Sequence, residues 1–338
     1  MYLQGLEENT RYQNAVQRRA TLPDLQGDAR FLTLGSGRRL AYSEYGDLQG
    51  FPLLYLHSHG SSRLEGLFFH DSARAAGFRL IAIDRPGLGL SDFKHCRHGH
   101  EYVDDLLTLA DHLKIESFAL LSWSGGAEFA FDTSRIACSR VKFQLCLAPL
   151  STRLEHDLRN PVLEFLLACL WSTVIRLRCH FAMRWSGPLL YLERLHQHVG
   201  QADRRVLENA RIRSILERNL IEAAATGCRG IAQDVCRSVR SRQCVSASVD
   251  VPVVIWQGTA DALTSPLMSQ RLVDALPDAV MHRVPSQGHF GFLQDSREIL
   301  ASARRQFLMI RPAGRMMPQV ICPEEPEQCP PMFAGVRK

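Results

Sequence analysis

The stretch Phe118-Ala119-Leu120-Leu121-Ser122-Trp123-Ser124-Gly125-Gly126-Ala127 restricts the fold more than any other part of the chain. An apolar run of strand length stops at small residues, and a helix-like segment follows. A strand that turns into a helix within one or two residues needs small side chains two before and two after the turn residue, because the two backbones approach closely there. Ser122 and Gly126 meet that demand around Ser124, whereas Leu120 would violate it around Ser122. Ser124 is therefore expected at a strained angle, with its hydroxyl raised off the sheet edge. N–H groups of the new helix's first turn should face it and favour negative charge. Read without chemistry, the same residues are a Ser/Gly turn in an ordinary βα unit.

The 338 residues, 46% hydrophobic and 22% charged, can bury a sizeable core, as one domain with an insertion or as two modest ones. A net charge of +5 gives little reason to expect a nucleic-acid partner. Met1 to Ala20 carries Glu7, Glu8, Arg11, Arg18 and Arg19 without an apolar core, so a cytoplasmic chain is expected. The longest apolar stretch, Pro161 to Met183, is interrupted by Glu164, Arg176 and Arg178, which argues against stable membrane insertion. Ten cysteines without a CxxC pair are expected to stay reduced. Cys228, Cys236 and Cys244 read as buried apolar thiols.

Arg30 to Leu34 and Arg39 to Tyr45 alternate apolar and polar residues around Gly35-Ser36-Gly37, which predicts an antiparallel hairpin. Pro52 to Leu56, Phe78 to Ile83, the run before Ser122, Val141 to Leu147, Pro252 to Trp256 and Val280 to Val284 are strands of a mainly parallel sheet. Helices are expected between them, at Leu64 to Ala76, around Val103 to Leu113, after Gly126, from Ser265 to Leu276 and from Ser296 to Ile310. The alternation lapses from Ser151 to Val249, where several helices are expected. The resulting division is an arm at 1–29, a core at 30–150 and 250–311, a helical insertion at 151–249 and a mobile tail at 312–338.

A serine hydroxyl needs a base, and the base needs a carboxylate to fix its tautomer. In open α/β sheets functional groups gather past the carboxyl ends of strands. Asp261 follows the strand at 252–256, and His289 follows the strand at 280–284. Taken alone, either is as readily a turn or loop residue. Together the order is Ser124, Asp261, His289. Oxyanion donors are expected from the N–H of Gly125 and, after the strand at 52–56, from the N–H of His59.

With these residues the chain resembles the α/β-hydrolase superfamily, in its lid-bearing serine members, over roughly Arg30 to Arg311. His57-Ser58-His59-Gly60 aligns with the family's His-Gly-x-Pro. Asp84 to Ser91 matches Asp-Arg-Pro-Gly-x-Gly-x-Ser residue for residue, and Gly288-His289 matches the late Gly-His. The resemblance implies a Ser124–His289–Asp261 mechanism and a lid at 151–249 inserted after the sixth strand. Ser58, Gly60 and Ser122 depart from the family pattern, and Ser58 could shift the oxyanion loop.

The expected activity is hydrolysis of a small or medium, partly apolar ester or related acyl compound. No cofactor and no metal are expected, and the partner is a small-molecule substrate. C–C bond hydrolysis, a lyase or cyclase step, and a non-catalytic binding role stay open on the same scaffold. His95-Cys96-Arg97-His98-Gly99-His100 is dense in ligand types but reads as a solvated loop. Arg204, Arg205, Arg211, Arg213 and Arg218, with Glu208, Glu217 and Glu222 among them, read as an exposed salt-bridged helix. Leu163 to Met183 could roof a pocket or simply pack on the core. Oligomeric state is not readable.

Overall fold

Continuous apolar runs become central strands buried on both faces, and the strands at the two edges are more exposed. They form one sheet from β1 (Arg30–Thr33), β2 (Arg39–Gly46), β3 (Phe51–Leu56), β4 (Phe78–Ile83), β5 (Phe118–Trp123), β6 (Val141–Leu147), β7 (Val253–Gly258) and β8 (Ala279–Val284). The computed structural model describes residues 28–96, 100–150, 199–240 and 249–309, together with 174, 192 and 195–197. The strand order is β1-β2-β4-β3-β5-β6-β7-β8. β1 pairs antiparallel with β2, and β2 antiparallel with β4. From β4 to β8 every pairing is parallel.

Side chains two apart share a face. Leu53, Tyr55, Leu121, Phe143 and Leu145 pack into one core. Leu54, Leu56, Ile81, Leu120 and Ile255 pack into the other. Helices α1 (His70–Ala75), α2 (His100–His112), α3 (Gly126–Ile136) and α7 (Pro266–Ala275) connect strands, α8 (Phe292–Arg304) follows β8, and α4 (Gln201–Leu207), α5 (Ala210–Ala223) and α6 (Arg229–Arg240) lie between β6 and β7. This is the expected α/β sheet with an inserted helical segment. The switch in winding direction falls between β3 and β5, which pair directly with Leu56 opposite Ser122. The loops after these two strands are therefore neighbours.

The single helix expected over Leu64 to Ala76 divides into a 3₁₀ segment (Arg63–Phe69) and α1. The buried residues explain the break. Arg63, Gly66 and Phe69 form one buried row and Leu64 and Leu67 another, both at the three-residue spacing of a 3₁₀ turn. α8 begins at Phe292, earlier than expected, because Phe292 and Leu293 are themselves buried.

The insertion is partly described. The segment 151–198, apart from 174, 192 and 195–197, lies outside the described residues, as do the arm before 28, the tail from 312, and 97–99 of the histidine-rich loop. The surface pairing expected on α5 is formed between Arg213 and Glu217 at 3.2 Å. Glu222, half-buried, instead pairs with buried Arg63 at 2.7 Å. Cys236 is buried and Cys228 half-buried, and Cys244 lies outside the described residues. Among the described residues no helix is long and apolar enough to cross a membrane.

Candidate active site

The turn after β5 holds Ser124 at φ +50°, in the left-handed region that a non-glycine residue rarely adopts. Three backbone hydrogen bonds fix it there. Its N–H donates to the Leu147 carbonyl at 2.9 Å, and its carbonyl accepts from Ala127 and Leu150, each at 3.1 Å. A Cβ at Gly126 would overlap the Leu56 carbonyl, so the small residue two after the serine is a steric requirement. Ser122, two before it, is buried and donates to the Leu145 carbonyl at 3.3 Å. Ser124 remains partly exposed among buried neighbours. Gly125 caps α3, so its N–H belongs to the first-turn donors that a helix leaves without internal acceptors.

His289 and Asp261 meet as expected, with Nδ1 of the imidazole 2.9 Å from Oδ2 of the carboxylate. Both are buried. Oδ1 of Asp261 accepts the N–H groups of Leu263 and Thr264, each at 2.8 Å, and Oδ2 also accepts the Thr264 hydroxyl at 2.6 Å. Burial alone would raise the Asp261 carboxyl. The bonds to His289 and Thr264 outweigh it and hold the group below the usual carboxylate range. The Trp123 and His289 rings lie 5.8 Å apart between centroids, which sets the imidazole beside the residue preceding Ser124. Among the described residues the histidine–aspartate bond is formed, and no hydrogen bond joins the imidazole to the Ser124 hydroxyl. Such bonds commonly tighten only when substrate is bound.

The loop after β3 is built around a buried carboxyl group, Glu65, and a buried guanidinium, Arg85. Glu65 accepts the Ser58 N–H at 2.8 Å and the hydroxyls of Ser58, Ser61 and Tyr55 at 2.6, 2.8 and 2.6 Å. Ser58 thus supplies two of the four donors that this carboxylate needs, which gives a reason for serine in place of the family's glycine. Arg85, from the motif after β4, donates to the carbonyls of His57 and Ser58. Buried His57 accepts the Arg85 N–H at Nε2 and bonds the Ser58 carbonyl through Nδ1. Burial and then the neighbouring Arg85 push His57 well below the ordinary imidazole range.

The His59 ring lies against Gly125, where a Cβ would overlap it. The two residues expected to donate to an oxyanion are therefore in contact. Burial lowers the His59 imidazole to about 4; Arg85 and Arg237 add to this and Asp234 opposes it. The ring is neutral at neutral pH.

Four polar residues at the site were not legible in the sequence. Thr264 and Glu65 lie near their partners in sequence but follow no spacing rule. Asp203 of α4 accepts the N–H groups of His289 and Phe290, and Asp234 of α6 binds Arg85. Both come from the insertion, where no local pattern signals so distant a partner.

A family model described as serine aminopeptidase, S33, matches residues 58–292. Residues of the chain are 36% identical over 107 positions to the dihydrolipoyllysine-residue acetyltransferase component of the acetoin cleaving system of Pseudomonas putida. That match spans 31% of this chain and 28% of the relative. Among solved structures, a hydrolase from Pseudomonas aeruginosa PA01 superposes with a TM-score of 0.64 at 17% identity, covering 82% of this chain and 97% of that one. A thermophilic esterase from Thermogutta terrifontis gives 0.61 at 18% identity, with 82% and 97% covered. A Vigna radiata epoxide hydrolase mutant gives 0.63 at 18% identity, with 83% and 98% covered. At these identities the structural likeness is one of fold.

Proposed function

The chain belongs to the serine aminopeptidase, S33, family of serine hydrolases within the α/β-hydrolase superfamily, and from that premise we propose that it cleaves a small or medium, partly apolar ester or related acyl compound. The Ser124 hydroxyl attacks the acyl carbonyl. His289 takes the serine proton at Nε2 and returns it to the leaving group. Asp261 holds the imidazole with Nδ1–H toward itself and stabilises the cation that forms. The N–H groups of Gly125 and His59 donate to the oxyanion of the tetrahedral intermediate. Water, deprotonated by His289, then attacks the acyl-enzyme and releases the acid.

The observation that carries this reading is a strained Ser124 directly after Trp123, whose ring packs near a buried histidine with its Nδ1 already 2.9 Å from a carboxylate. That arrangement leaves the other ring nitrogen to act as base. The epoxide hydrolase neighbour shares only the fold, and its chemistry is not carried over. The test is labelling by a fluorophosphonate probe, followed by turnover of p-nitrophenyl esters of increasing acyl length. Ser124→Ala is expected to abolish labelling and to cut kcat by on the order of 10⁴-fold or more. A Ser124→Ala protein that keeps its turnover overturns the reading.

A further inference from the structure

We propose that Asp203, contributed by the inserted segment, is a positioning residue that holds the His289 imidazole in register by gripping the backbone of its loop. The inference rests on the reading of His289 as the base. Oδ2 of Asp203 accepts the N–H of His289 at 2.9 Å and Oδ1 accepts the N–H of Phe290 at 2.8 Å, across 86 and 87 residues of chain. The carboxylate is buried, and it can approach this closely because Gly288 has no side chain; a Cβ there would overlap it.

The loop needs such a grip. β8 ends at Val284 and α8 begins at Phe292, so His289 and Phe290 belong to neither ladder. Their N–H groups precede the N-cap Gly291, where a helix start leaves donors without internal acceptors and favours a negative charge. A fork of two charge-assisted bonds fixes both position and tilt of the segment carrying the ring. Asp261 fixes only the Nδ1 edge of the imidazole. The hold on the His289 and Phe290 N–H groups themselves therefore comes from the insertion.

Asp203 also brings a second negative charge near the imidazole. The ionisable groups acting on Asp203 are His289 and Asp261. Burial raises the Asp203 carboxyl, the two N–H donors and His289 oppose this, and the group stays above the usual carboxylate range. Once ionised, at a pH above its own raised value, it is an anion that favours the protonated ring.

The experiment compares full-length wild type, Asp203→Asn, Gly288→Ala and Ser124→Ala, using p-nitrophenyl butyrate turnover across pH and the rate of fluorophosphonate labelling. Asp203→Asn keeps the shape but loses the charge and one acceptor. Its kcat is expected to fall about 10- to 100-fold with KM within about twofold, and labelling should slow in parallel. The acid limb of its pH–rate profile should move to lower pH, because an anion that favoured the protonated base is gone. A merely structural role would lower thermal stability and leave kcat and the acid limb in place well below the melting temperature. Gly288→Ala displaces the carboxylate while keeping its charge, so kcat should fall with little movement of the acid limb. A folded Asp203→Asn protein with unchanged kcat and an unmoved acid limb overturns the inference. Should Asp203→Asn not fold, Gly288→Ala decides, and a wild-type kcat there overturns it. Turnover surviving in Ser124→Ala would instead sink the reading on which the inference rests.

Discussion

Nε of Arg85 donates to Oδ2 of Asp234 at 3.0 Å, with both side chains buried and the two residues 149 positions apart in the chain. The same guanidinium reaches the His57 and Ser58 carbonyls and lies 4.6 Å over the Phe129 ring. One cation thus ties the inserted helix α6 to the loop after β3. Asp234→Ala would strand a buried positive charge, and its expected cost is about 3–5 kcal/mol in urea denaturation. The double variant Arg85→Met/Asp234→Leu should cost less than Asp234→Ala alone, since it removes both charges. A single variant as stable as wild type would contradict the pairing.

Adjacent glycines at the elbow should fail in different ways. A Cβ at Gly126 meets backbone, the Leu56 carbonyl, whose movement would disturb β3. Gly126→Ala is therefore expected to lose about 1–3 kcal/mol of stability. A Cβ at Gly125 meets the His59 ring, a side chain and not backbone. Gly125→Ala should stay closer to wild-type stability yet lose at least about tenfold in kcat, because the oxyanion loop shifts with the ring. Melting temperature and kcat measured on both variants check the contrast. Equal losses in both quantities would deny it.

Ser124, Asp261 and His289 could be singled out as candidates from sequence because each follows its own strand, and strands announce themselves as local apolar runs. The sheet was legible for the same reason. What escaped depends on contacts made far along the chain. Asp203 sits in an arginine-rich stretch that reads as surface, and only folding brings it to His289. Asp234 likewise carries no local mark of Arg85. The division of Leu64 to Ala76 escaped because apolar spacings of three occur in both helix types, and burial against Tyr45 and Ala82 at Gly66 decides between them. Ser58 read as a possible disturbance of the oxyanion loop. Its two bonds to Glu65 make it part of the loop's framework.

Asp261→Asn should lower kcat by on the order of 10³–10⁴-fold while preserving the fold, since the amide can favour the wrong imidazole tautomer. Thr264→Val removes the hydroxyl that donates to Oδ2 at 2.6 Å but leaves both backbone donors to Oδ1. Its expected loss is about tenfold, from one missing hydrogen bond to a charged group. The Asp261 carboxyl lies below its unfolded value. Its stabilising contribution is therefore present above the unfolded value, about 3.9, and is lost as pH falls through the folded one. Asp261→Asn should consequently be less stable than wild type at neutral pH, with the gap closing on acidification. Denaturant titrations between pH 3 and 7 read this directly, and a gap that widens on acidification would refute it.

Glu65 should show the opposite pH dependence. Burial raises its carboxyl, the donors from Ser58, Tyr55 and Ser61 oppose that, and burial prevails. With the folded value above the unfolded one of about 4.3, the associated stability is fully present below the unfolded value. It is lost as pH rises through the folded value. Glu65→Gln does not titrate, so it supplies the reference. Asp84 and Asp203 are also raised, but they occur in both proteins and cancel in the comparison. Wild type should hold its largest advantage over Glu65→Gln near pH 4 and lose part of it towards neutral pH. Melting temperatures of the two proteins across that range check it. An advantage that grows with pH would mean that the four donors favour the ionised carboxylate more strongly than burial disfavours it. The oxyanion loop would then be held by a fixed negative charge, and Glu65→Gln should cost more activity at neutral pH than near pH 5.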